Sequence, residues 1–90
     1  MNEMITYETV AKLAMYTKDL GKPFHIKITN PDDTITHKYG VLVKYSDKVA
    51  YFAMYSSNEY KNAVVNGYTL SQIENGIVEL ERMVGDNAID

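Results

Sequence analysis

Ninety residues with 9 Lys+Arg against 12 Asp+Glu carry a net charge of −3, and 46% apolar with 23% charged residues is an ordinary globular composition. So short a chain reads as one domain, 1–90, without the area to build two lobes around a deep cleft, which excludes most metabolic enzyme folds. No Cys means no disulfide framework and no thiolate metal site; with neither a signal-peptide pattern nor an apolar run of membrane-spanning length, the expected address is the cytoplasm, with no membrane partner.

Thr6 stands as an N-cap with Ile5 placed to staple onto Val10, and Val10, Leu13, Ala14 and Leu20 recur on one face. This spacing predicts a helix over 7–20, stopped by Gly21 and Pro23. From Phe24 the period becomes two: Phe24, Ile26 and Ile28 alternate with His25, Lys27 and Thr29, as in a half-buried strand. Asn30-Pro31-Asp32-Asp33 reads as a turn, because Pro presets φ and the Asn and Asp side chains bond their own backbone. With Asn30 opposite Asp33, Ile28 meets Ile35, Ile26 meets His37 and Phe24 meets Tyr39.

A second strand is expected over 34–45, with Gly40 a candidate bulge, and Ser46-Asp47 reverses the chain into a third strand over 49–55. Pairing Tyr45 with Lys48 sets Val43 against Ala50, Val41 against Phe52 and Tyr39 against Met54, so that both hairpins agree on the inner face. Ser56 with Glu59 forms a capping-box pattern, and Tyr60, Ala63 and Val64 predict a short helix ending at Asn66-Gly67. Thr69 with Gln72 repeats the box. Leu70, Ile73, Ile77, Leu80 and Val84 then predict a helix up to Gly85, against which only Gly76 speaks, and 85–90 should fray. The expected fold class is α+β, ordered α-β-β-β-α-α: a three-stranded antiparallel sheet covered by helices on its Phe24/Ile26/Val41/Phe52 face.

Charge is segregated along the chain: residues 1–21 sum to −1, 22–48 to +2 and 59–90 to −4. The outer sheet face should carry Lys27, Lys38 and Lys44 with His25, Tyr51 and Tyr55, while Asp32, Asp33 and Asp47 sit at turns and Glu74, Glu79 and Glu81 on the last helix. Eight Tyr exceed what a small core can hold, and exposed Tyr supplies contact area at low rotamer cost. Val49, Tyr51, Ala53 and Tyr55 form a face apolar enough to want a cover, from a helix, a second copy or a partner protein.

Motifs of catalysis are missing. His25 and His37 have opposite parity in the expected hairpin, so they point to opposite faces and share neither a metal nor a proton relay. No Ser sits in a nucleophile elbow and the glycines form no phosphate loop, so neither enzymatic activity nor a cofactor or metal is expected. Direct nucleic-acid binding is disfavoured as well. A helix, three strands and a helix is also the order of double-stranded-RNA-binding domains, but where these carry a basic cluster this chain has Lys61 beside Glu59, and its pI is near 5.3. The alternative for nucleic acid is single-strand stacking on Tyr51 and Tyr55 beside Lys27 and Lys44.

In size, lack of Cys, acidity and α-β-β-β-α-α order the chain resembles small phage-encoded anti-CRISPR proteins, which block a nuclease by competing for its DNA-binding surface. Eight lysines leave it less negative than the most acidic of these. The resemblance implies a protein-binding inhibitor in the host cytoplasm whose partner is a host nucleic-acid-handling or defence enzyme, either a protein or a nucleoprotein. Surface chemistry nominates Asp32, Asp33, Asp47, Tyr51, Tyr55, Glu74, Glu79 and Glu81 as the partner-binding residues. A third reading is a self-associating structural or regulatory subunit, a homodimer closed by the apolar face of the third strand.

Overall fold

A computed structural model describes residues 5–54 and 64–85. Six strands, β1 (Ile5–Thr9), β2 (Pro23–Thr29), β3 (Ile35–Tyr45), β4 (Val49–Met54), β5 (Val64–Thr69) and β6 (Val78–Gly85), form one antiparallel sheet in the order β1-β6-β2-β3-β4-β5. Helix among the described residues is confined to a 3-10 turn at Thr17–Asp19 and the five residues of α1 (Leu70–Glu74). The architecture is therefore β-rich, not the expected α+β order with helices over three strands. No helix is long and apolar enough to cross a membrane among the described residues.

Each helical expectation fails for a local reason. Ile5, Thr6, Tyr7 and Thr9 are β-branched or aromatic, and pairing with β6 outweighs the weak helical period of 7–20. The residues that follow cross the core face as a loop instead, with Val10, Leu13 and Met15 turned inward. Of the short helix expected to end at Asn66-Gly67, residues 56–63 lie outside the described residues; Val64, Asn66 and Gly67 belong to strand β5.

The expected last helix keeps only its first turn. Its capping box forms, Gln72 N–H donating to Thr69 Oγ1 at 3.2 Å and Thr69 N–H to Gln72 Oε1 at 2.9 Å. Gly76 then takes φ +78° and closes the end, with Gly76 N–H donating to Ile73 O and Ile77 N–H to Gln72 O. Beyond it Val78 and Leu80 alternate with Glu79 and Glu81 at a strand's period of two, burying the first pair. Thus α1 carries the chain from edge strand β5 across the buried face to β6, in the interior of the sheet.

Strands β2, β3 and β4 lie where expected, but β3 is turned over. Asn30 pairs with Thr34, its N–H donating to Thr34 O at 2.8 Å, so the loop is the three residues Pro31, Asp32 and Asp33, with Asp33 at φ +70°. That extra residue moves the register by one: Phe24 opposes Gly40, Ile26 opposes Lys38 and Ile28 opposes Thr36, not Tyr39, His37 and Ile35. At the other end Tyr45 opposes Ala50 and the register shifts between Leu42 and Lys44, so the bulge falls at Val43 and not at Gly40. Leu42 and Gly40 consequently face the core; Tyr39 and His37 face out.

The core comprises Phe24, Ile26, Leu42, Ala50, Phe52, Met54, Tyr68, Val78 and Leu80, with Val10 and Leu13 from the covering loop and Leu70 and Ile73 of α1 packed against it. Arg82 pins that loop. Its Nε and Nη2 donate to Asp19 Oδ1 and Oδ2 at 3.0 and 2.8 Å, its Nη2 also reaches Ala14 O at 3.0 Å, and Tyr16 N–H donates to Asp19 Oδ2 at 2.8 Å. Asp19 is only 3% exposed. Burial acts to raise its pKa, but the hydrogen bonds from Arg82 and Tyr16 and the guanidinium charge outweigh it and hold the carboxyl below its ordinary value.

Candidate functional site

The inversion of β3 assembles a cluster on the outer face, opposite the core. His25 opposes Tyr39 on one side and Glu81 on the other, and His37 lies diagonally across β3. His25 Nδ1 is 2.7 Å from Glu81 Oε1, and His25 Nε2 is 2.9 Å from His37 Nδ1. The rings of Tyr7 and Tyr39 flank His25 at 5.6 and 5.0 Å between centroids. His25 is 8% exposed while Tyr39 is 56% exposed, so an enclosed imidazole sits beneath an open aromatic rim.

The geometry fixes the protons of the neutral pair. A carboxylate only accepts, so His25 must place its hydrogen on Nδ1 and donate to Glu81. His25 Nε2 is then a lone pair, which accepts from His37 Nδ1–H. This leaves His37 Nε2, on an exposed side chain, as an unprotonated nitrogen. The ring planes are within 11° and the centroids 5.0 Å apart, so with 2.9 Å between the nitrogens the imidazoles meet edge to edge. The His25 lone pair is taken up by His37 Nδ1–H and the two rings do not aim at a common centre, and among the described residues no group of three His, Cys, Asp or Glu is arranged for a metal.

The pairing of the two histidines overturns the expectation that they occupy opposite faces. One signal in the sequence could have exposed it: a three-residue hairpin loop ending in a left-handed residue, for which Asp is a favoured type.

The nominated residues are dispersed. Asp32 and Asp33 lie at one end of the eleven-residue β3 and Asp47 at the other. Asp32 accepts from the Thr34 hydroxyl at 2.6 Å and from Thr34 N–H at 3.1 Å, and those two bonds hold its carboxyl below the ordinary value. Glu74 ends α1 and is exposed. Glu79 and Glu81 do share the outer face, on a strand and not on a helix; Glu79 lies 3.7 Å from Lys27 Nζ and accepts from Thr9 Oγ1 at 3.3 Å.

Tyr51 faces outward as expected, but its ring lies on Gly67, where an added Cβ would come within 2.8 Å of Tyr51 Cε1. Lys38, expected beside it, is on the core-side column opposite Ile26. Tyr55 lies outside the described residues. Compared with protein-family models, curated proteins and solved structures, the chain has no match.

Proposed function

We propose that the chain is a non-enzymatic protein-binding module that docks through the outer face of its sheet, with Tyr39 and Tyr7 as anchors. The observation that carries this reading is the exposure of those two rings, 56% and 41%, on either side of a buried, rigidly bonded His25. Large aromatic area on a scaffold that does not have to be ordered on association is what an interface anchor needs. An apolar row adjoins them: the register places Tyr7 opposite Met83, and links Pro23 to Val41, Val41 to Ala53 and Ala53 to Val65.

Charge on this face favours a protein over nucleic acid. Lys27 and Lys44 are balanced by Glu79 and Glu81, leaving no excess of positive charge to attract phosphates, and the chain as a whole is at −3. With the Tyr51 ring laid on Gly67 and the Lys27 ammonium 3.7 Å from Glu79, two members of the single-strand stacking surface are engaged within the sheet. As the partner we propose a host nucleic-acid-handling or defence enzyme, which the chain would inhibit. After the correction of the element order, that choice rests on size and net charge.

The test is affinity capture from bacterial lysates with the wild-type chain, Tyr39→Arg, and Asp32→Lys/Asp33→Lys. A specific partner retained by the turn variant and lost with Tyr39→Arg supports docking by the outer face. A partner indifferent to Tyr39→Arg and lost with the turn variant moves the site to the β2–β3 loop.

A further inference from the structure

We propose that His37 Nε2 is an activated nucleophile and the site at which this chain accepts an acyl group from an activated donor such as an aryl ester or thioester. The inference stands on the Glu81–His25–His37 chain alone and does not depend on the docking surface. Nucleophile, base and orienting group are in hydrogen-bond sequence: His37 Nδ1 at 2.9 Å from His25 Nε2, and His25 Nδ1 at 2.7 Å from Glu81 Oε1. Glu81 selects the tautomer of His25, His25 selects that of His37, and the atom left with a free lone pair belongs to an exposed side chain.

In the step itself His37 Nε2 attacks the acyl carbon, the carbon–nitrogen bond forms and the carbon–oxygen or carbon–sulfur bond to the leaving group breaks. Attack makes the His37 ring cationic. Its Nδ1 proton passes to His25 Nε2, which leaves a neutral acyl-imidazole and places the charge on His25 beside the Glu81 carboxylate. The leaving group departs to solvent as aryloxide or thiolate, out of reach of the enclosed His25, which gives up its extra proton to water, so the products are acyl-His37, the aryloxide or thiolate and one proton.

The surroundings fit this assignment. His25, 8% exposed between the Tyr7 and Tyr39 rings, is shielded from direct acylation, whereas His37 is exposed.

The experiment treats the full chain with p-nitrophenyl acetate, follows p-nitrophenolate release and maps acetyl groups after rapid acid quench. We expect His37 to be acetylated ahead of the lysines, and the His37 rate to fall about tenfold or more in His25→Gln, a modest share of the roughly 10²–10⁴-fold that a positioned base contributes in built active sites. Glu81 acts through His25, as a positioning residue. Its readout is the long-range proton–nitrogen spectrum, in which wild-type His37 carries its hydrogen on Nδ1 and Glu81→Leu loses that preference. Acetylation confined to lysines, an unchanged His37 rate in His25→Gln, or a wild-type His37 protonated on Nε2 when neutral overturns the proposal. The spectrum decides the matter on the unaltered chain if His25→Gln fails to fold.

Discussion

Gly40 lies directly opposite Phe24, in the column of β3 that faces the core. A Cβ built at Gly40 would stand 2.6 Å from Met54 Sδ, 3.0 Å from Phe52 Cβ and 3.2 Å from Ala53 O. Only a residue without a side chain lets these groups close over that point. The same contact fixes which face of β3 is inside, and so puts Tyr39 and His37 beside His25.

Gly40→Ala is therefore expected to destabilise the fold. The Met54 sulfur can swing away, but Phe52 Cβ is held by the backbone of β4, and overpacking of this kind costs about 1–3 kcal/mol. Loss of glycine's freedom in the unfolded chain offsets about 0.4–1 kcal/mol of that. Urea titration should show a lower midpoint at unchanged slope; an unchanged or raised midpoint would mean that β3 does not present residue 40 to the core.

Asp19→Ala leaves the Arg82 guanidinium inside without its two-point partner, and breaking such a buried pair costs about 3–5 kcal/mol. The carboxyl's folded pKa is held below its unfolded value, so its contribution is fully present above about pH 4 and is lost as pH falls through the lower, folded value. In Asp19→Asn the corresponding acid-induced loss should be absent. Thermal melts of both chains between about pH 6 and pH 2.5 check this, and parallel decline of the two would contradict it.

Thr69→Ala removes the acceptor for Gln72 N–H at the start of α1, and the loss of a cap of this type is worth about 1 kcal/mol. Because α1 brings Leu70 and Ile73 onto the core, the effect should appear in global stability, not as local fraying alone. Hydrogen exchange at β5 and β6 amides distinguishes the two outcomes.

The sequence disclosed more of the strands than of their register. Alternation in 24–28 and 49–54 located β2 and β4 and their inner residues, because each has one face wholly apolar. β3 has no such asymmetry: Ile35, Tyr39, Val41 and Val43 on one parity compete with Gly40 and Leu42 on the other. Agreement between the two hairpins did not choose between them. The left-handed Asp33 moves the pairing with β2 by one residue, and the bulge at Val43 flips the part of β3 upstream of it against β4, so the second phase is equally self-consistent.

The helical expectations failed where short apolar spacing suited both periods, as in Val78-Glu79-Leu80-Glu81, and where pairing across the sheet decided between them. The candidate site went with the register. Tyr51, Glu79 and Glu81 were visible as outward residues, while Tyr39 and the His25–His37 bond could not be seen until β3 was turned over.

Proton NOE spectroscopy of the aromatic side chains reads that orientation directly. The structure predicts cross-peaks from the His25 ring to the rings of Tyr39, Tyr7 and His37, and from Phe24 to Phe52. Cross-peaks between Tyr39 and Phe24, with none between His25 and His37, would place Tyr39 in the core and dissolve the outer-face cluster.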